Sequence, residues 1–234
     1  MLYKLMDKYV WPDFTKDIIE QAKKRCGAHI VVFDVGCFVG AFSKKIKEKF
    51  PTSSFYLFDP NPNIKVNDFN YYNLALSNSN EKKIYYLNNF FPAGGSSLNP
   101  NSKNDFLWNF TRKIITFKFW KSYSEHEVIT NTLDTFCNEK KITHIDVLKI
   151  DVDGSELDVL MGGLEILNNV KIILVEINDK KNKFNEKFNL VKDLLEKKYN
   201  FKLIKKKNLW SLSVLSNTKA TDALFVKNSN DIAN

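Results

Sequence analysis

Apolar positions along the chain switch repeatedly between a helical and a strand-like spacing. Phe14, Ile18, Ile19, Ala22 and Cys26 recur on one helical face and stop at Gly27, which predicts an amphipathic first helix. HIVVFDVG, ending at Gly36, is a β-branched run of the kind found in strands buried on both faces. Ala41–Phe50 reads as a helix closed by Pro51. SFYLFDP and YYNLALS read as the second and third strands. Downstream, Thr132–Lys140 predicts a helix and DVLKIDVD a strand. Ser155–Asn168 predicts a further helix, with Ser155 and Asp158 as its cap and Gly162–Gly163 weakening its middle. KIILVEIN is another buried strand, and Phe184, Phe188, Val191, Leu194, Leu195 and Tyr199 mark a last strong helix. FKLIKKK and DALFVK are the closing strands.

Strands alternating with helices imply crossover units, and hence an α/β fold with a mainly parallel, doubly wound sheet and an antiparallel edge strand. No repeat or flexible linker divides residues 1–234, so one domain is expected, with residues 1–29 as an N-terminal helical extension. Asn88–Glu127 does not fit the alternation. It is rich in aromatic residues (Phe90, Phe106, Trp108, Trp120 among them) and in Asn, Ser and Gly, and reads as an insertion or lid over the sheet.

Composition changes little in this picture. The 44% hydrophobic and 26% charged content is that of a globular chain. No apolar run approaches the ~20 residues of a membrane span, and MLYKLMDKYVWPDF lacks the features of a secretory signal, so the cytoplasm is expected. The net charge of +8 is spread along the chain as lysine; Lys180–Lys183 and Lys205–Lys207 read as solvated ends rather than a nucleic-acid patch. Cys26, Cys37 and Cys137 match no zinc spacing and no disulfide framework, and read as buried thiols.

The candidate chemistry sits at strand ends, where ligands bind in open α/β sheets. Asp34-Val-Gly36-Cys-Phe-Val-Gly40 places two glycines between a strand and a helix N-terminus, with Asp34 able to meet a ligand ammonium directly or through water. Tight turns use glycine for structural reasons too, and Phe38 stands where a dinucleotide fingerprint wants glycine. Asp59 follows the second strand, about twenty residues on, where a carboxylate suits two ribose hydroxyls; the alternative is a turn-forming Asp before Pro60. Ser77, ending ALS, is a weaker candidate for an adenine edge. Lys149-Ile-Asp151-Val-Asp153-Gly154-Ser-Glu156 gathers three acids at one strand end, and Glu176 of VEIN is expected beside them. Such a cluster implies raised pKa values, pairing with Lys149 or a shared cation.

FDVGCFVGAFS, FDPNP, LALSNS, GGSSL, TLDTF, LKIDVDGSELDVLMGG and ILVEI, in that order from about Ile30 to Asn178, resemble the FkbM-type methyltransferases. Cys37-Phe38 replaces the family's usual Ala-Asn, and Asp153 its usual Glu. The resemblance implies a Rossmann-like class I methyltransferase fold and S-adenosyl-L-methionine as cofactor. It further implies O-methylation of a sugar, glycan or other small hydroxylated acceptor. Donor binding then falls to Asp34, Gly36, Gly40, Asp59, Ser77 and Asp151. Methyl transfer needs alignment and removal of a hydroxyl proton. Asp151, as base or as ligand of a divalent cation, and His126 are the catalytic candidates; no metal pattern is specific, and His29 and His144 read as structural. Three rivals stay open: a nicotinamide-dependent dehydrogenase, a nucleic-acid methyltransferase without its usual base-flipping motif, and a donor-binding scaffold without catalysis.

Overall fold

The computed structural model describes residues 12–89, 96–99, 123–180, 185–209 and 218–228. Most of the aromatic insertion and the first eleven residues lie outside them. Helix α1 (Pro12–Arg25) leads into strand β1 (Val31–Val35), helix α2 (Ala41–Lys47) and strands β2 (Ser54–Phe58) and β3 (Asn70–Tyr72). Three strands follow, β4 (Ala75–Leu76), β5 (Lys82–Asn88) and β6 (Tyr123–Asn131), then helix α3 (Leu133–Lys140) and strand β7 (Ile145–Ile150). Helix α4 (Glu156–Met161), strand β8 (Val170–Lys180), helix α5 (Glu186–Asp193) and strands β9 (Phe201–Leu209) and β10 (Thr218–Lys227) complete it.

Seven strands form the main sheet in the order β3-β2-β1-β7-β8-β10-β9. The strands from β3 to β8 are parallel, as helical crossovers require. The order reverses beside β1, which makes the sheet doubly wound. The antiparallel strand is β10, paired on both sides, and β9 takes the edge. The reason lies in the connections: α5 returns the chain parallel to β8 as β9, and β10 then runs back between the two.

One face carries Phe33, Phe58, Leu133, Phe136, Val159, Phe188 and Val191, from the sheet and α3, α4 and α5. The other carries Phe14, Ile18, Val32, Ile46, Val147, Leu174 and Leu224, with α1 and α2 above it. Phe136 meets Phe33, Phe58 and Tyr72 edge-on, at ring-centroid distances of 4.8 to 5.9 Å.

Two expected elements break where backbone packs against backbone. YYNLALS divides: β3 stays in the main sheet, and β4 joins β6 in a second sheet ordered β4-β6-β5. The expected 155–168 helix ends at Met161 and resumes as a short 3-10 turn, Ile166–Asn169. A Cβ on Gly162 would lie 2.0 Å from the Ser77 carbonyl oxygen and one on Gly163 2.9 Å from the Leu133 side chain, so the two glycines let this crossover press against the chain after β4 and against α3. Ser155 makes no side-chain capping bond; Glu156 accepts from the Gly154 amide instead. Cys37 and Cys137 are buried, whereas Cys26 is half-buried, and all three are free. No described helix is long and apolar enough to cross a membrane.

Candidate functional site

Register brings the chemistry together. Asp34 on β1 lies opposite Lys149 on β7, and Gly36 lies one step beyond, against Asp151. The Lys149 ammonium, only 4% exposed, donates to the Gly36 carbonyl (2.8 Å) and stands 3.2 Å from Asp34 Oδ1 and 3.3 Å from Asp151 Oδ2. Burial alone would lower the Lys149 pKa; the Asp34 and Asp151 carboxylates outweigh it and hold the pKa above its ordinary value. The other Asp34 oxygen accepts from Ser43 at the start of α2 (2.8 Å). Asp34, fully buried, is therefore engaged by Ser43 and Lys149, and its described partners tie the glycine turn to β7 and α2.

Gly36 and Gly40 adopt left-handed conformations (φ 74° and 72°). A Cβ on Gly36 would sit 1.8 Å from the Asp151 carbonyl oxygen, so only glycine fits there. Between them Phe38 is also left-handed (φ 46°), and its amide donates to Asp59 Oδ2 (2.8 Å). Asp59 Oδ1 accepts from the Asn61 amide (2.9 Å). The acid after the second strand is thus joined directly to the glycine turn of the first. Burial pushes the Asp59 pKa up to about 6 against the pull of these two amides. Asn61, 1% exposed, leaves its Nδ2 donor unpartnered beside Asp59. Sequence reasoning passed over Asn61; its only signal was its place in FDPNP.

Ser77 is buried behind β4 and accepts from Lys83 (3.0 Å). The loop after β7 carries Asp151, Asp153 and Glu156. Asp153 is left-handed (φ 51°), as is Gly154. Glu156 is fully buried, facing the Gly154 amide and Lys187 (3.5 Å). Ser97 of the GGSSL segment donates to the Val152 carbonyl (3.3 Å) and so reaches this loop; the two glycines before it lie outside the described residues. Glu176 stands one strand away, its pKa raised by burial and by Asp151, Asp222, Asp153 and Glu156.

His126 lies on β6 of the second sheet, 3.0 Å from Ser124 Oγ and directly opposite Tyr85 in the register. Directly opposed residues share a face, and Tyr85 is buried on it, its hydroxyl pKa raised by burial and by Asp59 and Asp153. No described hydrogen bond or ion pair joins His126 to the acids after β7. Among the described residues, no group of three or more His, Cys, Asp or Glu has an arrangement able to hold a metal ion.

The model of the methyltransferase FkbM domain matches residues 25–203, most of the chain. The chain belongs to the FkbM methyltransferase family. Its seven-stranded, mostly parallel sheet, with the glycine turn after β1, is the α/β arrangement expected from the sequence. It is 25% identical over 165 residues to the 2-O-methyltransferase NoeI of Sinorhizobium fredii, covering 64% of this chain and 63% of that one. It is also 25% identical over 168 residues to Methyltransferase 1 of Beauveria bassiana, covering 65% and 66%. This FkbM chain thus spans just under two thirds of the length of either relative. A crystal structure of methyltransferase FkbM from Methylobacillus flagellatus matches 85% of this chain and 44% of its own, with 9% identity and a TM-score of 0.48.

Proposed function

We propose that this FkbM-family chain is an S-adenosylmethionine-dependent O-methyltransferase acting on a sugar or other small hydroxylated acceptor. The observation that carries the reading is the hydrogen bond from the Phe38 amide to Asp59, which draws the glycine turn and the acid into one cradle. The cradle suits the donor in three respects. Gly36 and Gly40, both left-handed, let the turn close against the Asp151 carbonyl and the Leu57 side chain. Each Asp59 oxygen already accepts one amide and keeps a second lone pair for a ribose hydroxyl. The unpartnered Asn61 donor supplies a further polar contact. Lys149 fixes Asp151 at the rim, and Ser77 stands behind β4 on the same side as Gly162.

When bound, the donor supplies an already activated methyl group, so the chain's own task is alignment and proton removal. Asp151, 28% exposed at the end of β7, orients the acceptor hydroxyl, and the face of the second sheet bearing His126 and Tyr85 lies near enough for Asp59 and Asp153 to raise the Tyr85 hydroxyl pKa. The 2-O-methyltransferase name of the Sinorhizobium relative favours a hydroxyl acceptor.

The test is transfer of labelled methyl from S-adenosylmethionine to a pool of neutral mono- and oligosaccharides. The reading expects label in a sugar ether and a large loss with Asp151→Asn. Label in protein or nucleic acid, with none in the sugars, would overturn it.

A further inference from the structure

Three strands carry a lateral row of charge at the open end of the sheet. On β8, Glu176 lies directly opposite Asp222 of β10, and Asp222 lies directly opposite Lys207 of β9. Strand alternation puts all three on the face that also carries Asp34 and Lys149, and Asp151 ends the neighbouring strand. Lys207 is exposed, but Asp222 is only 2% exposed and its Oδ1 has no hydrogen-bond partner. A second orphan lies diagonally across the ladder: the Nδ2 donor of Asn178, two residues beyond Glu176 on the same face and opposite Ala220. A buried acceptor and a buried donor left without partners cost free energy unless a ligand completes them. Together they match one alcohol, which donates its hydrogen and accepts at its oxygen.

We propose that the Glu176–Asp222 pair is the acceptor-hydroxyl site, with Asp222 taking the hydroxyl proton as the methyl group is transferred. Asp222 lies beyond the residues 25–203 matched by the family model. The inference rests on the proposed O-methyl transfer and adds to it the residue that takes the proton. In the step, the acceptor O–H bond breaks and its proton passes to Asp222. The oxygen lone pair forms the new C–O bond to the methyl carbon, and the pair from the broken S–C bond stays on sulfur. Charge balances: the sulfonium cation and the carboxylate anion are consumed together.

The electrostatics fit this task. Burial, then the Asp151 carboxylate, push the Asp222 pKa up to about 7, while Lys207 and Lys149 pull it down. Glu176 is raised well above its ordinary value by burial and by Asp151, Asp222, Asp153 and Glu156, so the two facing carboxyls resist ionising together. From α1, packed on the same face, Asp17 is held by Lys205 of β9. A base poised near neutrality is the most effective one.

The first readout is a pH titration of carboxyl carbon signals by NMR on the whole protein saturated with S-adenosylhomocysteine. The pair is expected to ionise in two separate steps, with Asp222 ionising near pH 7. Glu176→Gln is expected to leave a single step. Full ionisation of both carboxyls by pH 5 would overturn the proposal. The second readout is methyl transfer to the sugar pool. Asp222→Asn is expected to lower turnover by ~10²–10⁴-fold, abolish the rise in rate through about pH 7 and leave S-adenosylhomocysteine affinity within about twofold. Asp222→Glu, which keeps a carboxylate should the amide fail to fold, is expected to retain a rising profile. Wild-type turnover and profile in Asp222→Asn would overturn the proposal. If the wild type methylates no sugar, the acceptor reading above fails instead, and the titration still decides the pair.

Discussion

Replacing Lys149 by methionine removes one ammonium and keeps most of the side-chain volume, so the expected cost is electrostatic rather than a cavity. In the wild type this ammonium serves the Gly36 carbonyl at 2.8 Å, Asp34 at 3.2 Å and Asp151 at 3.3 Å. Asp151 reaches solvent and is the least affected. Asp34 is fully buried and would keep Ser43 as its described partner, an ion stripped of its counter-charge. Removing one member of a buried pair typically costs about 3–5 kcal/mol. At a urea slope of roughly 2–3 kcal/mol/M for a chain this size, that moves the unfolding midpoint down by about 1–2 M. The discriminating experiment is a double-mutant cycle with Asp34→Asn. Neutralising Asp34 removes the stranded charge, so the double variant should recover at least ~1 kcal/mol relative to the sum of the singles. A Lys149→Met midpoint within about 0.2 M of wild type, or additive single effects, would refute the claim that this lysine secures the turn.

Gly36→Ala should fail more severely in binding than a surface glycine change. Its Cβ would meet the Asp151 carbonyl at 1.8 Å in a left-handed conformation, and calorimetry should show S-adenosylhomocysteine binding lost in whatever fraction folds. Asp59, with its pKa pushed up to about 6, accepts ribose hydroxyls with all its lone pairs only when ionised. S-adenosylhomocysteine affinity should therefore hold above pH 7 and fall as pH drops through about 6, and Asp59→Asn should flatten that profile while costing ~1–3 kcal/mol at pH 7.5.

Much of the candidate site was legible in the chain because it depends on local signals. A glycine pair between a buried strand and a helix, an acid after the next strand, and acids ending DVLKIDVD all lie at strand ends, and parallel crossovers bring such ends to one edge of a sheet. What Lys149 does for Asp34 depends on cross-strand register, which periodicity along one strand does not encode. Asp222 escaped notice for a related reason. It opens DALFVK, an acid before an apolar run, and gains meaning only because β10 slots between β8 and β9 and sets it opposite Glu176. His126 drew attention for its chemistry alone; its place on the second sheet opposite Tyr85 follows from a strand inside a stretch read as irregular insertion. The helix expected over 155–168 broke at two glycines whose close neighbours, the Ser77 backbone and the Leu133 side chain, are distant in sequence.

The central claim is that the cradle formed by the glycine turn and Asp59 holds the methyl donor. Isothermal titration of the whole protein with S-adenosylhomocysteine, set beside the same titration with NAD⁺ and NADH, tests it most directly. The account predicts saturable binding of one S-adenosylhomocysteine per chain, weakened by Asp59→Asn, and no heat of binding from either nicotinamide. Binding of a nicotinamide cofactor, or no S-adenosylhomocysteine binding by the folded chain, would contradict it.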